Sequence, residues 1–306
     1  MPFIAWHPNF KLPLPAKHRF PMIKYELLHD KLLYTGIAAQ NDFYTPKSLD
    51  TSLLNSVHSK SYWERLLALD LNEDEIRRSG FPLSKQLLSR ELHIAQGTLR
   101  SALTALETGI GFNVAGGTHH AGSNWAEGFC LLNDQAIAAR YLLNQHSINK
   151  ILIIDLDVHQ GNGTAEIFRR DKRIFTFSMH GANNFPFRKK ESDLDVGLPD
   201  DTEGSSYLSI LKQHINYLMP TVQPDFVFYQ AGADVLHSDK MGRLNLSQMD
   251  CKERDRMVFE ACKALNIPVQ VSMGGGYSED IKKTVSVHCQ TFEEGINTLR
   301  YSSNYP

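Results

Sequence analysis

The hydrophobic pattern of the chain alternates between short apolar runs and longer segments with helical spacing. Short runs of β-favouring residues predict buried strands. Five such runs occur, at Gly111 to Ala115, Lys150 to Asp155, Ile174 to Ser178, Asp225 to Gln230 and Pro268 to Met273. Helical spacing predicts helices at Asn133 to Gln145, Ser205 to Leu218 and Ser247 to Leu265. This alternation favours the α/β class, with an open parallel β-sheet flanked by helices on both faces.

The remaining segments carry weaker signals. Thr164 to Arg170 is compatible with a helix, Ser61 to Leu71 is amphipathic, and the rest of the first ninety residues or so is mixed. The polar, turn-rich region from His180 to Gly204 predicts a long surface loop, and such loops are often functional. Since no linker or repeat divides the chain, we expect a single domain over residues 1–306.

Composition and charge argue against several classes of protein. The formal net charge of -2 disfavours a chain held directly on nucleic acid by bulk electrostatics. No stretch approaches the roughly 18 apolar residues of a membrane span, and the proline-containing N-terminus lacks the apolar core of a secretory signal. The four cysteines show no C-x-x-C spacing. They predict reduced thiols and a cytoplasmic location, or a nuclear one in a eukaryote, and leave the oligomeric state open.

Ligand-type side chains follow the second predicted strand. Residues 151–163 read I-L-I-I-D-L-D-V-H-Q-G-N-G, so alternation predicts Asp155, Asp157 and His159 on one side. Ligands in open α/β sheets collect at the carboxyl ends of strands. An Asp can also cap the next helix, and a His can be a satisfied core residue. Three such groups together are costly to bury without a cation or a hydrogen-bond network, so the segment predicts a metal site.

Three other predicted strands also end in chemically capable side chains beside glycines. The segments after the first, fourth and fifth strands are G-G-T-H-H-A at 116–121, A-G-A-D at 231–234 and G-G-G-Y at 274–277. Glycines allow close backbone approach. Because the carboxyl ends of parallel strands meet at one edge of a sheet, these segments predict one pocket.

Asp157, His159 and Asp234 form a donor set of two oxygens and one nitrogen. Three protein ligands with an open fourth position are typical of a hydrolytic zinc site, and Fe(II) fits the same donors. A bound metal lowers the pKa of water towards ~7 and polarises a carbonyl. The set therefore predicts metal-assisted hydrolysis.

His119, His120 and Tyr277 are the predicted partners of that metal. Adjacent histidines can transfer protons, and a tyrosine after three glycines can donate a hydrogen bond to a developing oxyanion. The alternatives are an incidental histidine pair and a rim aromatic packed on a glycine turn.

These motifs together resemble the zinc-dependent histone deacetylases of the arginase/deacetylase fold. The resemblance extends from His7-Pro8 to Tyr277 and includes E-G-F-C at 127–130 with Asn133-Asp134. L-P-L-P-A-K-H-R-F-P-M at 12–22 and Q-G-N-G at 160–163 are similar to the class IV branch and its bacterial relatives. The resemblance implies hydrolysis of the amide of N6-acyl-lysine in a protein or peptide, that is, a lysine deacetylase or deacylase.

The resemblance also implies a role for each matching position. The zinc ligands are Asp157, His159 and Asp234, the tandem catalytic histidines are His119 and His120, and the carbonyl-polarising tyrosine is Tyr277. The substrate-binding residues are Gly128, Phe129, Phe185 and Gly275, of which Gly128 and Phe129 match the acyl-lysine channel. A structural monovalent cation, commonly potassium, matches Asp155, Ser178 and Met179. Arg19 lies either beside a product-exit cavity or on the surface.

Asn162 departs from class I relatives, which have an aspartate paired with the second histidine. Asn orients an imidazole without stabilising its charged form. We therefore predict a lower pKa for His120 than it would have beside a carboxylate, while His119 keeps a carboxylate partner in Asp155. His120 is accordingly the expected general base.

Several alternatives stay open at this point. A binuclear arginase-like hydrolase needs a further carboxylate where the chain has Gly161, so a mononuclear site is expected. Acetylpolyamine hydrolysis would use the same machinery behind an acidic, narrowed entrance. The acidic residues that leave this open are Glu191, Asp193, Asp195, Asp200 and Asp201. A non-catalytic acyl-lysine binding module would usually lack a ligand or the tyrosine. Because of the class IV resemblance, long fatty acyl groups are candidate substrates in addition to acetyl.

Overall fold

The computed structural model describes residues 3–299 and contains an eight-stranded sheet. The strands are β1 (Ile4–Ala5), β2 (Phe43–Tyr44), β3 (Ile110–Asn113), β4 (Ile151–Asp155), β5 (Ile174–Gly181), β6 (Leu194–Leu198), β7 (Phe226–Gln230) and β8 (Val269–Ser272). Their order across the sheet is β2-β1-β3-β8-β7-β4-β5-β6, and all neighbouring pairs are parallel. The predicted α/β class with an open parallel sheet is confirmed.

Nine α-helices connect and cover these strands within the described range. They are α1 (Lys24–Tyr34), α2 (Lys60–Leu67), α3 (Glu73–Ser79), α4 (Lys85–Thr108), α5 (Asp134–Gln145), α6 (Asn162–Phe168), α7 (Gly204–Val222), α8 (Gln248–Ala264) and α9 (Ile281–Leu299). The predicted helices are present as α5, α7 and α8, and the two weaker segments as α6 and α2. Local signals fix their ends: the Ser247 hydroxyl accepts the Asp250 N–H at the start of α8, for example.

The five predicted strands are confirmed as β3, β4, β5, β7 and β8. All residues of β3, β4, β7 and β8 are buried. Strands covered on both faces read as continuous apolar runs, which is why the sequence revealed them. The four strands are neighbours at the centre of the sheet, so the segments that follow them meet at one edge.

The prediction of one long surface loop from His180 to Gly204 is wrong in part. Strand β5 continues to Gly181, and β6 pairs with it in parallel along the edge of the sheet. Leu194 and Val196 are half-buried whereas Asp195 and Gly197 are exposed. This alternation is typical of an edge strand, but five residues among polar neighbours gave too weak a signal. The segment between β5 and β6 stays irregular and carries Phe185.

Strands β1 and β2 were also missed in the mixed N-terminal region. Each has two residues, which is too short for any periodicity to be recognised. The four cysteines are free and buried, as expected for reduced thiols. Across residues 3–299, none of the helices has the length and apolar character needed to cross a membrane.

Candidate active site

The candidate metal ligands lie in the loops after β4 and β7. Asp157, His159 and Asp234 are buried, and one donor atom from each lies within 4.8 Å of the others. His159 Nδ1 lies 3.0 Å from Asp157 Oδ1 and 3.1 Å from Asp234 Oδ2. The Gly275 N–H donates to Asp157 Oδ2 at 2.7 Å, which ties the β8 loop to the same cluster. Among residues 3–299, this trio is the group of metal-donor side chains that could hold an ion.

The electrostatics of this trio suit a cation. Burial alone would lower the pKa of His159, but Asp157 and Asp234 outweigh it and raise that pKa to about 10. Burial and the neighbouring Asp157 raise the pKa of Asp234 to about 7. The two buried carboxylates therefore stabilise a positive charge placed between them, whether on the His159 imidazole or on a bound ion. Two oxygens and one nitrogen are donors that zinc and Fe(II) accept, so the residues fit a divalent ion.

Asp155 does not belong to the trio, although alternation predicted it on the same side. Strand β4 ends at Asp155, and Asp157 and His159 lie in the loop beyond it. The Asp155 carboxylate lies 2.7 Å from His119 Nδ1 and accepts the Asp157 N–H at 3.2 Å. In the β4–β5 pairing, Asp155 stands opposite Ser178. Asp155, at the end of β4, therefore pairs with His119, whereas Asp157 and His159 reach Asp234 from the loop beyond the strand.

The tandem histidines differ sharply in their surroundings. Burial disfavours the charged form of His119, but Asp155 and Asp157 reverse this effect and raise its pKa to about 9. Burial, then the charges of His119 and His159, hold the pKa of His120 well below its usual value. The His120 Nδ1 lies 2.7 Å from Asn162 Oδ1. Burial and the two neighbouring imidazoles thus lower the pKa of His120, whereas the Asn162 contact favours its charged form, so the predicted effect of Asn in place of Asp stays a prediction.

A tight turn from Glu127 to Cys130 forms one wall of the site. The two end residues exchange backbone hydrogen bonds of 3.0 and 2.9 Å, and the central Gly128 and Phe129 have positive φ values of 55° and 67°. This is the pattern of a type I′ turn. A Cβ at Gly128 would come within 2.6 Å of His120 Cδ2, so only glycine fits there.

Glu127 is a neighbour of the site that the sequence analysis missed. Its Oε2 accepts a hydrogen bond from Asn162 Nδ2 at 2.9 Å. Because a carboxylate can only accept this bond, the amide oxygen of Asn162 must face His120. Glu127 was part of the quoted motif, but nothing in the local sequence paired it with a residue 35 positions away.

A channel of about 290 Å³ leads from the surface to His120 and His159. Phe129 and Phe185 line it together with Gly128 and Tyr277. The ring of Phe185 meets the ring of His120 edge-on, with centroids 5.0 Å apart. The predicted substrate-binding residues Gly128, Phe129 and Phe185 therefore lie together. Gly275 lines instead a smaller inner cavity of about 40 Å³. Arg19 is exposed at the outer end of the channel.

Tyr277 is held at the inner part of the channel by Asp239 and Lys24. The Tyr277 N–H donates to Asp239 Oδ2 at 2.6 Å, and Lys24 Nζ lies 5.4 Å from the centre of the Tyr277 ring. Burial, then the charges of Asp234 and Asp157, raise the pKa of Tyr277, which keeps its hydroxyl protonated. Lys24 is buried and donates to the Gly274 carbonyl at 3.0 Å, and burial lowers its pKa to about 8. A lone lysine at the start of a helix gave no sign of burial.

A buried ion pair, also missed, contacts the loops after β4 and β7, which carry the candidate metal ligands. Arg254 and Asp255 are both fully buried, and Arg254 Nε donates to Asp255 Oδ1 at 2.8 Å. Arg254 also donates to the backbone carbonyls of Gly232 at 2.6 Å and Leu156 at 3.4 Å. Each carbonyl belongs to a loop that carries a ligand, so the guanidinium joins those two loops.

Known proteins are similar to this chain in sequence and in fold. The histone deacetylase domain family matches residues 18–292. An uncharacterised protein of Picosynechococcus sp. is 42% identical over 285 residues, which cover 93% of this chain and 95% of that protein. Histone deacetylase 1 of Homo sapiens is 29% identical over 295 residues, covering 89% of this chain and 59% of that protein.

Two further comparisons extend this result. Histone deacetylase 2 of Arabidopsis thaliana is 31% identical over 193 residues, covering 62% of this chain and 50% of that protein. The chain thus spans about half to three fifths of these eukaryotic relatives. The crystal structure of the HDA15 HD domain shares the fold, with a TM-score of 0.77 at 19% identity over 97% of this chain and 95% of that one. The chain belongs to the histone deacetylase family of metal-dependent hydrolases.

Proposed function

We propose that this protein is a zinc-dependent hydrolase of N6-acyl-lysine amides in proteins or peptides. The observation that carries the proposal is the trio of Asp157, His159 and Asp234, whose His159 lines a channel together with several aromatic rings. Such a channel suits an unbranched aliphatic stem, because it excludes water from the reacting amide while it contacts only methylene groups. The family membership supports the same reaction.

Asp157, His159 and Asp234 would hold the zinc ion, or Fe(II) in its place. When bound, the ion lowers the pKa of a water molecule and polarises the carbonyl of the substrate. The bound ion requires His159 to be neutral, so metal binding would displace the proton that the two carboxylates otherwise stabilise. Asp157 and Asp234 keep their negative charge only with such compensation.

His120 is the proposed general base. Its lowered pKa keeps the imidazole neutral at neutral pH. The Asn162 oxygen accepts from Nδ1, so the lone pair is on Nε2, which can take a proton from the attacking water. Glu127 contributes by fixing the orientation of the Asn162 amide.

His119 and Tyr277 would act on the other groups of the amide. His119, which keeps its proton beside Asp155, supplies a proton to the leaving nitrogen as the carbon–nitrogen bond breaks. The Tyr277 hydroxyl donates a hydrogen bond to the carbonyl oxygen, on which negative charge develops. The products are a carboxylic acid and a free lysine side chain.

The channel walls would select the lysine side chain. Phe129 and Phe185 flank the stem, and the Gly128 carbonyl accepts the amide N–H of the substrate. A water-sized group needs roughly 10–15 Å³ of such space, so the inner cavity of about 40 Å³ holds a few heavy atoms. This supports an acetyl or similarly short acyl group. Turnover of long acyl chains and membership of class IV stay predictions, as does the cytoplasmic location.

A monovalent cation, most simply potassium, is proposed at Asp155, Ser178 and Met179. All three residues are buried, and Asp155 and Ser178 face each other across the β4–β5 pairing. Charge at this position would stabilise Asp155 as the ionised partner of His119.

The acetylpolyamine alternative finds little support at the entrance. None of the five acidic residues that left it open, namely Glu191, Asp193, Asp195, Asp200 and Asp201, lines the channel. Asp200 pairs with Arg243 and Glu191 with Arg169. Asp193 accepts from Thr176, and Asp195 accepts from Gln160. Four of the five carboxylates are therefore paired within the fold, and none of the five adds an acidic group to the channel lining.

A turnover assay tests the proposal. The zinc-loaded protein is incubated with one lysine peptide carrying acetyl, octanoyl or myristoyl groups, and separately with acetylputrescine. We expect hydrolysis of the acetyl peptide and its loss in Asp234→Ala. Hydrolysis of acetylputrescine alone would assign a polyamine hydrolase instead. Silence on every substrate with zinc bound would favour a non-catalytic binding module.

A further inference from the structure

The outer end of the channel is basic although the chain as a whole is not. Arg19, Arg78 and Arg243 line it, and no Asp or Glu is among the lining residues. The formal net charge of the chain is -2, so three arginines at one opening are not explained by overall composition. They come from the N-terminal segment, the end of α3 and the loop before α8, which only the fold brings together.

Two of these arginines form no salt bridge in the part of the chain that the structure describes. Arg243 forms a salt bridge with Asp200 at 3.1 Å. In contrast, no salt bridge within residues 3–299 involves Arg19 or Arg78; next to Arg78, it is Arg77 that pairs with Asp74. The pKa of Glu75 is lowered mainly by Arg65 and to a smaller degree by the charge of Arg78. The side chains of Arg19 and Arg78 are both exposed. Their charges are therefore available to a ligand that lies across the opening.

The fold holds both arginines against the wall of the channel. The Arg19 guanidinium lies 5.1 Å from the centre of the Phe129 ring. The Arg78 carbonyl accepts the Gly128 N–H at 3.1 Å, which joins α3 to the turn that carries Phe129. A substrate whose acyl-lysine lies beside Phe129 would thus have its flanking residues next to two cations. Phe187, 85% exposed, adds an apolar surface at the same opening.

We infer that the protein prefers acyl-lysines flanked by acidic residues. The inference rests on the proposed lysine deacylase function and names its substrate class. The recognition is electrostatic: carboxylates of an extended peptide segment, on either side of the lysine, lie near Arg19 and Arg78. Exposed ion pairs contribute modestly, so we expect about a two- to fivefold gain in kcat/KM for each arginine. The gain falls with added salt, because screening acts over about 8–10 Å at physiological ionic strength.

The test compares three acetyl-lysine peptides that differ only in the flanking residues, which are Glu, Gln or Lys. At low ionic strength we expect kcat/KM to be about tenfold higher for the Glu peptide than for the Lys peptide, with the Gln peptide between them. The Arg19→Gln/Arg78→Gln double variant should bring the ratio close to one, and Arg78→Glu should favour the Lys peptide. Arg256→Gln, at an exposed arginine of α8 outside the channel, should keep the wild-type ratio.

The outcomes separate this inference from the function on which it rests. Equal turnover of the three peptides at low salt would overturn the acidic preference and leave the deacylase function standing. A preference that survives in the double variant would overturn the role of Arg19 and Arg78. A succinyl-lysine peptide with Gln flanks tests the remaining alternative. If the double variant lowers the turnover of that substrate only, the arginines bind the carboxylate of the acyl group and not the flanking residues. Absence of turnover on all peptides would remove both proposals.

Discussion

Replacing Asn162 with Asp is the sharpest test of what sets the difference in pKa between His119 and His120. In the structure, the Asn162 oxygen faces His120 at 2.7 Å and its nitrogen donates to Glu127 at 2.9 Å. Asn162→Asp keeps the shape but replaces a donor with a second acceptor. The new carboxylate then contacts the carboxylate of Glu127, and it also stabilises the charged form of His120.

The magnitude follows from these distances. Two unit charges at 2.9 Å repel by about 6 kcal/mol at an effective dielectric constant of about 20. Rotation of the partly exposed Glu127, or a proton shared by the pair, relieves most of this. We expect about 1.5–3 kcal/mol to remain as a loss in the free energy of unfolding, which is the usual cost of an unsatisfied buried polar group.

The dependence of kcat/KM on pH shows whether Asn162→Asp raises or lowers the pKa of His120. His120 must be neutral to accept a proton, and its lowered pKa keeps it neutral as the pH falls towards the acid side of the profile. A carboxylate at position 162 raises the pKa of His120, so the acidic limb should move to higher pH. The assay is kcat/KM against pH on an acetyl-lysine peptide, with zinc content and thermal unfolding measured for every variant.

A second substitution separates the repulsion between the two carboxylates from the change in the pKa of His120. Glu127→Gln in the Asn162→Asp background restores a donor to the new carboxylate, so it should recover most of the lost stability while the acidic limb stays shifted. Glu127→Gln alone keeps an acceptor for Asn162 and should have a small effect. An unshifted limb in Asn162→Asp, or additive effects of the two substitutions, would refute the reasoning.

The remaining predictions concern the metal, the oxyanion donor and the buried ion pair. Asp234→Asn should lower the zinc content, measured by atomic spectroscopy, and the activity together. Tyr277→Phe should lower kcat about 100- to 1000-fold with unchanged zinc content, and a smaller loss would argue against oxyanion stabilisation. Gly275→Ala places a Cβ 1.8 Å from Asp234 Oδ2, so zinc affinity should fall by about 10- to 100-fold in a competition titration. Arg254→Met leaves Asp255 buried without its cation and should lower the free energy of unfolding in urea by about 3–5 kcal/mol.

The central part of the fold could be predicted from the sequence. Strands β3, β4, β7 and β8 are buried on both faces and therefore appear as apolar runs. The missed strands lack such a pattern for two reasons: the edge strand β6 alternates between half-buried and exposed residues, and β1 and β2 have two residues each. For these reasons β6 was taken for loop and β1 and β2 were not recognised.

The candidate site divides in the same way. Asp157, His159, Asp234 and the histidine pair follow strand ends directly, so parallel pairing was enough to bring them together. The structure was needed to find Glu127 beside Asn162, the buried Lys24 beneath Tyr277, and the ion pair that contacts the loops after β4 and β7. Each of these contacts joins residues from distant parts of the chain through side chains that are ordinary in their local context.

The α/β class, the edge of the sheet that holds the candidate site and the candidate metal donors could thus be inferred from the chain alone. This was possible because burial on both faces and the residue types at strand ends are local properties. The charge at the channel opening, the partners of the loop carboxylates and the orientation of the Asn162 amide could be seen only in the three-dimensional structure. These depend on which segments the packing of the sheet and helices brings into contact, and a linear pattern does not contain that information.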